Sequence, residues 1–228
     1  MNRAEYSESV RRFFLLSMIG CIQFMLLSVI AMMFYTGGSS VDHQSAGYSI
    51  LYNLLSDLGR TIAYSGESNV VSSLIYNISL LSMGCFLVPF FIAMPKFLGL
   101  DTDAKWFSVP GSLIGILMAI TFIGAALTPA DILMDIHFLL GQIAFITGLP
   151  LAISYAMAVF ASENFPRLYA YLFALFGIIQ FIFLMVMFIY LGEGGGEISM
   201  IFAIGQKIAV YGLIGCIMVQ SYGAFNQQ

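Results

Sequence analysis

Charged residues are scarce in this 228-residue chain, at 9% of the total, whereas a soluble domain carries roughly a quarter. Hydrophobic residues make up 60%, and a water-soluble fold needs a largely polar exterior. The eight Lys and Arg residues form no basic stripe, which argues against nucleic acid as a partner. The scarcity of charge therefore predicts a protein whose surface faces lipid.

Cysteine and histidine are also rare, with three Cys and two His in the chain. The cysteines form no CxxC pair and lie inside apolar runs, which predicts small buried residues rather than a disulfide framework. They are Cys21, Cys85 and Cys216. A catalytic zinc site needs three protein ligands, and His137, the one histidine in an apolar run, would have only aspartates beside it. We therefore expect no metal and no other cofactor.

Long apolar runs are what the chain has in quantity. A spanning helix needs roughly 20 mostly apolar residues, and six such runs follow one another. They cover residues 13–35, 70–91, 109–127, 132–160, 168–191 and 198–222. The first run is too long and too aromatic for a cleaved signal peptide. The expected fold class is all-α, a single domain over residues 1–228 that forms an integral membrane bundle of six transmembrane helices.

The basic residues predict the orientation of this bundle. Six of the eight fall on the side that holds both termini: Arg3, Arg11, Arg12, Lys96, Lys105 and Arg167. The other side collects acidic residues: Asp42, Asp57, Glu67, Asp131, Asp135, Glu193 and Glu197. Loops rich in Lys and Arg face the cytoplasm. We expect a cell (plasma) membrane protein with both termini cytoplasmic.

The connection between the first two runs, residues 36–69, is much longer than the other connections. Long loops in compact folds are more often functional than idle. Residues 48–59 mix apolar and polar side chains at helical spacing, which predicts a short amphipathic helix that lies at the outer surface or dips into it, ended by Gly59. A plain surface loop is the alternative.

Lys207 lies inside the sixth apolar run, roughly 15 Å from Glu197 along a helix. An ionisable side chain near the middle of a bilayer is costly and points to function. On the fourth run, Asp131, Asp135 and Gln142 fall within about 40° of one another on a helical wheel. We expect Lys207 to contact a carboxylate of the fourth run or the first connection, directly or through one water, with Asp135 and Asp57 as the main candidates, because each buried charge makes the other tolerable.

These side chains predict an outward-facing polar cavity between the second, fourth and sixth helices. Its candidate ligand-binding residues are Ser56, Asp57, Arg60, Asn77, Asp131, Asp135, His137, Gln142, Gln206 and Lys207. The alternative is that they form interhelical hydrogen bonds that only hold the bundle together. No nucleophile–base pair stands out, so catalysis is left open.

Several short motifs resemble a known family. They are Ser56-Asp57-Leu58-Gly59, Tyr76-Asn77, Thr128-Pro129-Ala130-Asp131 with His137, and Gly205-Gln206-Lys207. In this order they resemble the prokaryotic six-span family called domain of unknown function 998, which is similar to the DRAM-like autophagy modulators and glycolipid-anchor remodelling proteins. That family usually has arginine where this chain has Lys207. Lysine keeps the positive charge but cannot form the two parallel hydrogen bonds of a guanidinium group. The resemblance implies a prokaryotic source and lipid handling.

Three functions follow as hypotheses. The first is binding or remodelling of membrane lipids in the predicted cavity. The second is transport of a small solute or protons, against which stands the lack of Gly/Pro-broken half-helices and of an inverted repeat. The third is a structural accessory subunit, because so little of the chain lies outside the apolar runs. The expected partners are membrane lipids, with other membrane subunits or a homo-oligomer as further possibilities.

Overall fold

The computed structural model describes residues 3–100, 102–163, 165–192, 194 and 198–227. In these residues the chain forms six α helices and one 3-10 helix. The α helices are α1 (Arg3–Phe34), α2 (Val70–Leu98), α3 (Lys105–Ala126), α4 (Met134–Phe160), α5 (Arg167–Gly192) and α6 (Met200–Asn226). The 3-10 helix, Leu55–Gly59, lies in the first connection. Within the described ranges the only extended pairing is an isolated bridge between Ile62 and Ser68.

Each α helix is long and apolar enough to cross a membrane. The shortest, α3, has 22 residues, or about 33 Å at 1.5 Å per residue, against a hydrocarbon core of roughly 30 Å. The predicted all-α, six-helix fold is confirmed. The chain is a multi-pass membrane protein.

The helices pack in chain order around a closed ring. Each α helix contacts the next, and α6 returns to contact α1. Successive spanning helices run in opposite directions, so both chain ends lie at one end of the bundle. We call that end the terminal face, and the end that carries residues 35–69 the loop face. The basic residues Lys96, Lys105 and Arg167 lie at the helix ends of the terminal face, whereas Glu193 and Glu197 are outside the described residues.

The outside of the ring is apolar. Met33, Leu113 and Ile201 are 79%, 66% and 64% exposed, a surface that suits lipid and not water. Cys21 and Cys216 are buried as predicted, but Cys85 is exposed. The prediction for Cys85 is wrong because an apolar run does not tell the inner face of a helix from its lipid-facing side.

The first connection enters the bundle instead of lying on it. Asn53, Leu55 and Leu58 are fully or almost fully buried, and Leu55 contacts Gln206, which lies six residues into α6. The predicted helix exists only as the 3-10 turn Leu55–Gly59, and residues 48–54 are irregular. We call residues 53–59 the inserted segment.

Gly59 ends this helix as predicted, but for a different reason. A helix-ending glycine usually adopts a positive φ, and Gly59 does not. A Cβ at this position would instead collide with the Asn77 side chain and press on Tyr76. Gly59 is therefore required by the close approach of the inserted segment to α2.

Candidate functional site

Side chains of α2 hold the carboxyl end of the inserted segment. The Leu58 carbonyl accepts a hydrogen bond from Ser72 Oγ at 3.2 Å. The Gly59 carbonyl accepts from Ser73 Oγ at 2.9 Å and from Asn77 Nδ2 at 3.1 Å. Buried backbone groups need partners, and here polar residues of a spanning helix supply them. Asn77, a predicted ligand-binding residue, thus binds the backbone of the inserted segment.

Side chains of α6 hold the amino end of the same segment. Gln206 Oε1 accepts a hydrogen bond from the Leu55 N–H at 2.8 Å. The buried Lys207 Nζ donates to the backbone carbonyls of Asn53 and, at 3.1 Å, of Ala203. The described residues form one ion pair within 4 Å, between Glu8 and Arg12, so of the two forms of the predicted Lys207–carboxylate contact the direct one is not formed. Backbone carbonyls solvate the ammonium group instead.

Asp57 is linked to Lys207 through Asn53. Its Oδ2 accepts from Asn53 Nδ2 at 3.1 Å and from the Leu54 N–H at 2.8 Å. The Asp57 side chain is nearly fully buried. The pKa of Asp57 is raised to about 6, because burial outweighs the hydrogen bonds from Asn53 and Leu54, which lower the pKa.

Asp131 joins two loops at the loop face. Its carboxylate accepts hydrogen bonds from the Thr61 N–H at 2.9 Å, from the Thr61 hydroxyl and from the Ile62 N–H at 2.9 Å. Partial burial on its own would raise the pKa of Asp131, but these hydrogen bonds outweigh it and lower the pKa. Asp131 therefore anchors the first connection to the α3–α4 connection.

The His137 ring is held by backbone at the end of α3. Its Nδ1 lies 2.7 Å from the Thr128 carbonyl oxygen, which only accepts hydrogen bonds. Nδ1 must therefore carry a proton, and in the neutral ring Nε2 is an acceptor. Asp135, two residues earlier, is exposed.

Two adjoining cavities lie beside the inserted segment. The upper chamber, about 530 Å³, is at the loop face between the inserted segment, the start of α4 and the end of α5. The lower chamber, about 80 Å³, is deeper in the bundle and has lining residues from all six helices. Four residues line both chambers: Leu54, Ser56, His137 and Phe138. The lower chamber is therefore lined by the whole ring of helices, whereas the helical part of the upper chamber's lining comes from α4 and α5.

The predicted site residues divide into three groups. Five of them line the upper chamber: Ser56, Asp57, Arg60, Asp135 and His137. Gln142 and Gln206 join Ser56 and His137 around the lower chamber. Asn77, Asp131 and Lys207 line neither chamber.

Sequence reasoning missed the aromatic part of the lining. Tyr64 and Tyr190 line the upper chamber, and Phe145 and Phe202 line the lower one. In a chain with 21 Phe and 12 Tyr, no spacing separates a chamber-lining ring from a packing ring. Only the ring-shaped arrangement of the helices brings them together.

Comparisons of the chain with protein-family models, with curated proteins and with solved structures give no match. The resemblance to the prokaryotic six-span family stays a prediction.

Proposed function

We propose that this protein binds a membrane amphiphile, with the polar head in the upper chamber and the end of the chain in the lower chamber. The single observation that carries the proposal is that the two chambers adjoin, with Leu54, Ser56, His137 and Phe138 lining both. A ligand that occupies both must have a polar part and an apolar part.

The two chambers differ in chemistry in the way that an amphiphile requires. The upper chamber has the charged side chains of Asp57, Arg60 and Asp135. The lower one is lined mainly by apolar and aromatic side chains, with Gln142 and Gln206 among the few polar ones. Each methylene buried there contributes about 0.8 kcal/mol, while a head without hydrogen-bond partners is costly to bury.

The inserted segment gives the site a fixed wall. Leu54 and Ser56 face the chambers, and the neighbouring backbone is bonded to Gln206, Lys207, Ser73 and Asn77. These polar groups of α2 and α6 prearrange the site, and of the four only Gln206 also lines a chamber. A site that is formed before binding loses less entropy when the ligand is bound.

Binding is a better-supported proposal than remodelling of the lipid. Ser56 and His137 lie where the two chambers meet, at the place of a head-to-chain linkage. Activation of a serine requires a hydrogen bond to its base. The described residues show none between these two side chains, so we assign them a binding role.

The orientation of the protein in the membrane and its resemblance to the prokaryotic six-span family also belong to this proposal. The loop face would lie outside the cell, because Lys and Arg concentrate at the terminal face. The amphiphile would then come from the outer leaflet. The resemblance to the prokaryotic six-span family and to lipid-handling eukaryotic proteins is in line with such a ligand.

Gly141 allows a direct test. It lines the lower chamber, and a Cβ added there meets no atom within 4 Å, so Gly141→Leu places a side chain in the chamber without a backbone clash. Gly215 on α6 has equally free space and lines neither chamber, which makes Gly215→Leu the matched control. We expect Gly141→Leu to weaken lipid retention about tenfold, equivalent to about 1.4 kcal/mol, in native mass spectrometry of the purified protein. Equal retention by both variants would contradict the proposal.

A further inference from the structure

The charges that line the upper chamber are of both signs and are not paired with one another. Its described lining residues include one guanidinium, Arg60, and two carboxyls, Asp57 and Asp135. None of them forms an ion pair within 4 Å among the described residues. A chamber with separate positive and negative groups is complementary to a ligand that carries both charges.

We propose that the upper chamber recognises a phosphoethanolamine head, with the phosphate on Arg60 and the primary ammonium on Asp135. This inference rests on the proposed function, because it names the class of amphiphile that the same site takes. The juxtaposition that carries it is Arg60 and Asp135 in one chamber, each with hydrogen-bonding capacity to spare.

Arg60 is set to bind a phosphate. Its Nε donates to the Ile62 carbonyl at 3.2 Å, and its Cζ lies 4.2 Å from the centre of the Tyr64 ring. These contacts fix the plane of the guanidinium and leave both Nη groups without a hydrogen-bond partner in the described part of the chain. A planar guanidinium whose two Nη groups form a free edge matches phosphate oxygens.

Asp135 is set to bind an ammonium group. Its carboxylate is exposed and accepts no hydrogen bond in the described ranges, unlike Asp57, whose Oδ2 already accepts two. An ethanolamine ammonium donates three hydrogen bonds, whereas the quaternary ammonium of choline donates none. The free carboxylate therefore favours the primary amine over choline.

The balance of charge disfavours the other common heads. Two carboxyls face one guanidinium, so a purely anionic head such as phosphoglycerol meets repulsion from Asp135 as well as attraction from Arg60. A purely cationic head would leave Arg60 unpaired. Like charges brought together across an interface reduce affinity for the wrong partner.

The experiment compares phospholipids of matched chains in native mass spectrometry: phosphatidylethanolamine, phosphatidylcholine and phosphatidylglycerol. For the natural sequence we expect phosphatidylethanolamine to bind about tenfold more tightly than either competitor. Asp135→Asn should remove this preference, and Arg60→Gln should weaken all three lipids. The control is Asp42→Asn, because Asp42 is exposed in the first connection and lines neither chamber.

The outcomes separate this inference from the proposed function. Equal or tighter binding of phosphatidylglycerol by the natural sequence would overturn the headgroup assignment, while a Gly141→Leu effect would still support amphiphile binding. Loss of both the headgroup preference and the Gly141→Leu effect would overturn both. Glycerophosphoethanolamine, which has the head without chains, should displace the lipid only weakly. Displacement at equal concentration would contradict a lipid source for the head.

Discussion

The ammonium group of Lys207, on the sixth helix, donates a hydrogen bond to the backbone carbonyl of Asn53, 154 positions earlier in the chain. The side-chain amide of Asn53 in turn donates to Asp57 at 3.1 Å. The two buried charges are therefore joined through one neutral residue and do not touch. This arrangement ties the inserted segment to the bundle.

Lys207→Met should destabilise the protein by about 1–3 kcal/mol, because it removes the two hydrogen bonds from the ammonium group to the carbonyls of Asn53 and Ala203. When Lys207→Met is combined with Asp57→Asn, the two losses of stability should not add, since Asn53 connects the two side chains. Combined with Asp135→Asn, the losses should add within about 0.5 kcal/mol, because these residues share no partner. Thermal unfolding of the single and double variants in one detergent measures this. A large coupling with Asp135 and none with Asp57 would contradict the observed network.

Asp57→Ala should cost about 1–3 kcal/mol, since it leaves the Leu54 N–H without an acceptor and removes one of the two acceptors of the Asn53 amide. Asp57→Asn, the matched control, keeps an acceptor oxygen and should cost much less. A similar loss in both variants would show that the charge, and not the hydrogen bonding, matters.

The raised pKa of Asp57 also predicts that the stability of the protein depends on pH. Its pKa is raised from 3.8 to about 6, so between these values the folded state binds more protons than the unfolded state. The contribution of Asp57 therefore favours folding below pH 4 and is lost as the pH rises through 6. Comparing the natural sequence with Asp57→Asn from pH 4 to 7 isolates it, because the variant lacks the titration. Identical pH profiles would contradict the raised pKa.

Asp131 and Asp135 should behave oppositely despite their nearness in the chain. Asp131→Ala removes the acceptor for the Thr61 and Ile62 donors and should cost about 1–3 kcal/mol. Asp135→Ala, at an exposed side chain, should change stability by less than about 0.5 kcal/mol. Lipid binding, in contrast, should be weakened more by Asp135→Ala than by Asp131→Ala. A destabilisation by Asp135→Ala as large as that by Asp131→Ala would mean that Asp135 is structural.

Much of the fold could be predicted from the sequence, and much less of the site. Six spanning helices follow from run length and hydropathy, since a helix must satisfy its own backbone in lipid. A helical wheel also places Asn77 and Lys207 on inner faces, but it does not reveal what lies opposite. In the structure, the backbone of residues 53–59 lies opposite these side chains, although it is far from them in sequence. Asn77, Gln206 and Lys207, which we had assigned to a ligand, form hydrogen bonds with this backbone instead.

The orientation is tested by single cysteines at two exposed positions, in a background with Cys85→Ser. Gln44→Cys lies at the loop face and Asp103→Cys at the terminal face. An impermeant thiol reagent added to intact cells should label the first and not the second, because Lys and Arg concentrate at the terminal face. Labelling of Asp103→Cys but not of Gln44→Cys would show that the protein has the opposite orientation.

The most direct test of the amphiphile site is photo-crosslinking with a phosphatidylethanolamine that carries a diazirine near the end of one acyl chain. The lower chamber is lined by Gly141, Phe145 and Phe202, so the labelled peptides should contain these stretches of α4 and α6. Gly141→Leu should abolish that labelling and Gly215→Leu should leave it intact. Labelling confined to lipid-facing residues such as Leu113 and Ile201, unchanged by Gly141→Leu, would contradict amphiphile binding inside the bundle.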